Sequence, residues 1–173
     1  NKLDDKKVLD WFATQALGSV NDSTIETFHY PFTSNQNKYF NIHIPKLLKS
    51  ELITSTRNIK IELRDLGVGI FSAESGARYW FNANKHKSYS VWRIGKPHQI
   101  LIIREGILSS FFTFNTYDNK IQIINNYGSI KDSNKLIKDI QNIYKGNTFK
   151  LNNVNHLYFY NLEGNYSELS KLL

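Results

Sequence analysis

The sequence predicts a mainly β or α+β domain with a curved, barrel-like sheet, and three observations carry that expectation. Short segments of alternating apolar and polar character, rich in Ile, Val, Phe, Tyr and Trp, follow one another with Gly, Asn, Asp or Ser between them. Helical patterns are few and show no strand–helix–strand rhythm, which disfavours a parallel α/β sheet. A chain of 173 residues, 40% hydrophobic and 14% aromatic, can bury a core and fits a single domain over residues 1–173.

The elements follow in order. "DKKVLDWFATQAL" sets Val8, Leu9, Trp11, Phe12, Ala16 and Leu17 on one stripe, an amphipathic helix ending near Gly18 with Trp11 as a core anchor. "STIETFHYPF" reads as a strand ended by Pro31, "TSNQNK" as a polar loop, and "YFNIHI" as a second strand. "PKLLKSEL" has Pro45 at a first-turn position and reads as one or two helical turns. "RNIKIELRD", "VGIFSA", "ARYWFNA", "SYSVWRIG", "HQILIIR", "LSSFFTFNTY" and "NKIQIIN" read as consecutive strands. In "DSNKLIKDIQNIYKG", Asp132 or Ser133 is the N-cap, Leu136, Ile137, Ile140 and Ile143 form the stripe, and Gly146 is the stop. "HLYFYNLEG" is a last strand and "YSELSKLL" a terminal turn. Strand alternation puts Trp80 and Trp92 inside and Arg93 on the face opposite Trp92.

Charge narrows the function. The chain carries 22 Lys+Arg against 15 Asp+Glu, a formal charge of +7, which favours polyanionic partners. The excess is concentrated: no acid lies between Glu26 and Glu51, where Lys38, Lys46 and Lys49 sit, nor between Glu74 and Glu105, where Arg78, Lys85, Lys87, Arg93, Lys96 and Arg104 sit. The N-terminal and late helical segments mix both signs, as solvated helix faces do. The absence of Cys excludes a disulfide scaffold and a thiolate metal site. The first residue is Asn, there is no Met, and no apolar run is long enough to cross a bilayer, so the expectation is an excised piece of a longer protein without a membrane partner.

Motifs for chemistry are missing. There is no phosphate-binding glycine loop, no dinucleotide glycine pattern, no "HExxH" and no "GxSxG". The histidines at 29, 43, 86, 98 and 156 have no paired metal-ligand spacing, and His43 in "FNIHIP" reads as a satisfied strand histidine. A metal-dependent nuclease needs converging carboxylates; "KIELRD" offers Glu62 and Asp65, but no acid-x-Lys strand follows. The expectation is a binder with no catalytic residues, no cofactor and no metal.

Both acid-free segments mix phosphate-neutralising cations with side chains that read base edges. The first offers Ser34, Asn35, Gln36, Asn37 and Lys38. The second offers Asn82, Asn84, Lys85, His86, Lys87, Ser88, Tyr89, Ser90 and Arg93, with Lys96 just beyond. These residues are the candidate contacts for sequence-specific double-stranded DNA.

The order of "LDWFA", a strand, an Asn/Gln-rich loop, "IHIP" with a short Leu-rich helix, then "ARYWFNANK" and a basic strand ending "WRIG" resembles a family. It is similar to the plant-type B-three pseudobarrel DNA-recognition domains of bacterial restriction endonucleases, as in the EcoRII N-terminal effector domain and the BfiI C-terminal domain. The likeness covers roughly Val8 to Phe114 and, more loosely, the later helix Asn134 to Tyr144. It implies a seven-stranded open pseudobarrel with an N-terminal helix and short flanking helices, gripping duplex DNA in the major groove. The two arms would be Thr33 to Tyr39 and Asn84 to Arg93. It further implies a catalytic nuclease domain elsewhere on the longer chain, and a location in the bacterial cytoplasm. The first arm lacks the glycine-rich pattern of the EcoRII branch, so the BfiI branch is the nearer expectation. Two other classes remain open: a compact nuclease in which Glu62, Asp65 or Glu74 converge, and a non-catalytic envelope or assembly module with a basic surface.

Overall fold

The computed structural model describes residues 7–11, 24–32, 39–61, 69–118, 120–128, 130, 132–148 and 150–161. The architecture is mixed α+β, and the described residues form seven strands in two open sheets, with no closed barrel among them. The chain divides into two compact units, residues 1–31 with 35–66, and residues 32–34 with 67–173. No described helix is long and apolar enough to cross a membrane.

In the first unit, β1 (Ile25–Pro31) and β2 (Tyr39–Pro45) form an antiparallel ladder from Ile25 opposite Pro45 to Pro31 opposite Tyr39. Its histidines are held across the strands: Thr27 bonds His43 Nδ1 at 3.0 Å and His29 Nδ1 bonds Asn41 at 2.8 Å. Asp10 takes the other His29 nitrogen at 2.9 Å. Partial burial first, then the neighbouring His29, holds His43 below the ordinary histidine value. Helix α1 (Lys46–Asn58) is longer than the one or two turns expected, with Pro45 as its N-cap residue. It takes up Arg57 and Asn58, so the strand expected from "RNIKIELRD" does not begin there. A turn occupies Ile59 and Lys60, and Glu62 to Asp65 lie outside the described residues. Trp11 is exposed rather than a core anchor.

The second unit opens with α2 (Gly69–Phe81), which overturns two expected strands. "VGIFSA" and "ARYWF" form one helix because Ile70, Phe71, Ala73, Glu74 and Ala77 recur at helical spacing and bury one stripe. The small residues on that stripe lie against β3 (Ser88–Ile94) and β4 (His98–Arg104). The sheet continues with β5 (Ile107–Tyr117) and β6 (Lys120–Gly128), and ends with β7 (Leu157–Asn161). Its order is β6-β5-β4-β3-β7, antiparallel except for β7, which runs parallel to β3. The β4–β5 hairpin turns on Glu105 and Gly106, both at positive φ (51° and 75°), as the two-residue turn matching strand twist requires.

The core lies on the sheet face away from α2. Trp92, Ile94, Ile100, Ile102, Phe112 and Phe114 alternate onto it and meet Leu136, Ile140 and Ile143 of α3 (Ser133–Tyr144). Asp132 caps α3 as expected, accepting from the Asn134 and Lys135 amides at 2.9 and 3.2 Å. Gly146 takes the positive φ of a helix stop. Trp92 is fully buried as expected; its indole N–H donates to His98 Nδ1 at 3.3 Å, and the His98 ring stacks on Phe114. β3 is covered on both faces, by α3 beneath Trp92 and by α2 over Tyr89 and Val91.

Candidate nucleic-acid interface

The end of α2 builds the basic segment. Asn82 adopts a left-handed conformation (φ 52°, ψ 43°), which asparagine tolerates better than most residues, and the helix stops there. Ala83–Lys85 then form a single 3₁₀ turn, closed by the Lys85 and His86 amides donating to the Asn82 and Ala83 carbonyls, each at 3.1 Å. Ala83 is fully buried, while Asn82, Asn84, Lys85 and Lys87 stay exposed. The Glu105 amide donates to the Lys87 carbonyl at 2.6 Å, tying the segment to the β4–β5 turn.

The far side of the segment is held by aromatic stacking. The His86 ring lies on His156 with centroids 3.5 Å apart and planes 18° from parallel. His156 leads into β7, where its carbonyl accepts from the Ser90 amide at 2.8 Å. Arg104 donates to the Asn152 carbonyl at 2.8 Å in the same neighbourhood. Desolvation first, then the adjacent His156 and Lys85 charges, holds His86 below the ordinary histidine value of 6.5. The expected result by NMR titration is a His86 midpoint below pH 6.5 that moves upward in His156→Ala. The unfolded chain takes up the proton first, so the contribution of His86 to stability is complete above pH 6.5 and declines as the pH falls towards the lower folded value.

The other residues expected to contact DNA fall differently. Ser88 is half-buried opposite Arg104. Tyr89 and Ser90 are buried, which corrects their expected role: a strand covered on both faces cannot offer them to a docking ligand. The Tyr89 hydroxyl donates to Glu74 at 2.5 Å, and its pKa is pushed far above the ordinary phenol value by burial first and the Glu74 bond second. Arg93 is half-buried beside its cross-strand neighbour Gln99, to which it donates at 3.3 Å. Lys96 is exposed, but in the β3–β4 turn at the other end of β3, roughly 20 Å along the strand from Lys87. Ser34, Asn35, Gln36, Asn37 and Lys38 lie outside the described residues.

The acid-free segments are less uncompensated than their sequence suggests, because acids at their ends fold back onto them. Lys49 pairs with Glu26 at 2.7 Å, and Arg78 with Glu74 one helical turn away at 2.9 Å. Among the described residues no carboxylate pairs with Lys85, Lys87 or Lys96. Glu74 is buried between Arg78 and Tyr89, so it is not an open metal ligand. No group of three His, Cys, Asp or Glu side chains that could hold a metal occurs among the described residues.

Sequence reasoning missed the aromatic lip beside this segment. Tyr79, Trp80 and Phe81 at the end of α2 are 79%, 76% and 63% exposed, against the expectation that Trp80 is core. Phe81 meets Tyr158 of β7 with centroids 5.8 Å apart. Between α2 and β7 runs a groove of about 260 Å³ whose walls include Gly76, Ala77, Trp80, Phe81, Tyr158 and Tyr160. Helical spacing from Ala73 and Ala77 to Trp80 and Phe81 was the available signal: it continues the buried stripe onto residues that nothing described covers. The chain matches no protein-family model, no curated protein and no solved structure.

Proposed function

We propose that this chain is a nucleic-acid-binding module whose ligand is double-stranded DNA, acting as the recognition part of a restriction endonuclease with catalysis on another domain. One observation carries the reading: Lys85 and Lys87 stand exposed without carboxylate partners among the described residues, on a segment that also exposes Asn82 and Asn84. The segment is fixed by backbone bonds and a buried Ala83, so its cations are presented in place. Such an arrangement neutralises phosphates and offers amides to base edges.

The finer fold belongs to the same proposal. The restriction-enzyme likeness brings with it a seven-stranded pseudobarrel and a location in the bacterial cytoplasm. That likeness took "ARYWFNANK" as strand and loop, whereas Ala77 to Phe81 are helical, so the weight passes to the cation segment itself. A nuclease centre on Glu74 has no support from its geometry, since that carboxylate is engaged by Arg78 and Tyr89.

Duplex binding measured across a salt series tests the reading. Lys85→Ala and Lys87→Ala are each expected to weaken binding on every duplex and to lower the slope of log K against log salt by about 1. Salt-independent binding, or slopes unchanged in both variants, removes the proposal.

A further inference from the structure

We propose that the groove between α2 and β7 takes an unpaired nucleobase, stacked against Trp80 and Phe81, so that DNA with an extrahelical or single-stranded nucleotide binds better than a perfect duplex. The inference rests on the nucleic-acid reading above and adds a second contact to it.

Exposure comes first. The stripe that α2 buries through Ala73 and Ala77 runs on into Trp80 and Phe81, which instead face solvent. Consecutive large aromatics left uncovered mark a binding surface, because each forfeits the burial that its apolar area would otherwise gain. Within the lip Tyr79 meets Trp80 edge-on with centroids 4.8 Å apart, and Phe81 rests on Tyr158. Small residues, Gly76 and Ala77 among them, line the helix wall, leaving room for a flat group between that wall and the rings of β7.

Charge then selects the occupant. Phe81 is followed at once by the segment carrying Asn82, Asn84, Lys85 and Lys87, and Tyr158 lies two residues after His156, on which His86 stacks. Aromatic rings and cations with no carboxylate partner among the described residues therefore share one margin of the unit. This is the combination by which proteins hold unpaired nucleotides, with rings against bases and cations against the backbone. Bases inside a duplex already stack on one another, so a ring on the protein gains contact only with a base that has left its pair.

The test uses a duplex, the same duplex with a short bulge, and the same bulge built from abasic nucleotides, which keeps the phosphates and removes the rings. The bulged duplex is expected to bind about tenfold more tightly than the abasic one. Trp80→Ala should erase most of that ratio and leave the salt slope unchanged. Lys85→Ala should do the reverse. Equal binding of bulged and abasic forms, with the salt slope intact, overturns this inference and leaves the nucleic-acid reading standing. Absence of salt-dependent binding to all three removes both. Should Trp80→Ala fail to fold, Trp11→Phe leaves Trp80 as the exposed indole beside the buried Trp92, and quenching by the bulged but not the abasic duplex gives the same decision.

Discussion

Replacing Trp92 by alanine is expected to cost about 3–5 kcal/mol of stability, the range for losing a large buried aromatic from a core that cannot collapse onto the gap. Trp92 is fully buried, with Phe114, Phe159, Tyr144 and His98 around it at centroid separations of 5.5 to 5.9 Å. Those neighbours come from β5, β7, α3 and the start of β4, so no single movement fills the space. The loss also takes away the indole N–H that His98 accepts deep in the core. Chemical denaturation read by circular dichroism checks the figure. A change below about 1 kcal/mol would mean that the neighbours repack, against the geometry described.

Gly128→Ala is expected to be destabilising by roughly 3 kcal/mol or more, through backbone strain and a collision acting together. Gly128 sits at φ +109°, and a Cβ there would run into the Ser109 carbonyl and lie 2.8 Å from both Phe32 Cζ and the Ser110 Cα. Two of those three obstacles are backbone atoms of β5, which cannot rotate away. Gly106→Ala is the internal comparison: its φ is +75°, but nothing lies within 4 Å of the added carbon, so only the conformational cost of about 1 kcal/mol remains. Denaturation midpoints of the two variants should separate accordingly. Equal losses would show that strain alone, and not the approach of β5, keeps residue 128 without a side chain.

Much of the second unit is legible in its sequence because local preference and tertiary environment agree there. "SYSVWRIG", "HQILIIR" and "LSSFFTFNTY" are β-branched or aromatic runs separated by turn residues, and all are strands. The stripe of α3 and its Asp132 cap follow the same agreement. The segment from Gly69 to Phe81 breaks it: Ile, Phe, Tyr and Trp there carry β preference, while the side chains that decide the matter are the small Ala73 and Ala77, which let a helix lie close on β3. That misreading also hid the aromatic lip, since a strand would have turned Trp80 inward. One wall of the groove comes from β7, far along the chain, and no local pattern points there. The cation segment is legible for a simpler reason: side chains that remain in water keep the charge seen in the sequence.

β7 has a consequence for how the molecule comes into being. Its Phe159 forms part of the wall around Trp92 and its backbone pairs in register with β3, yet it lies dozens of residues downstream of both α2 and β3. A nascent polypeptide can therefore assemble the meander of neighbouring strands early, but Trp92 stays partly wetted until the distant segment is delivered and docks alongside. Pairings of such long range are late, slow events. The cleft wall supplied by Tyr158 and Tyr160 is accordingly among the last features to mature, and a chain ending before β7 would display Trp80, Phe81 and the neighbouring cations with no wall opposite them.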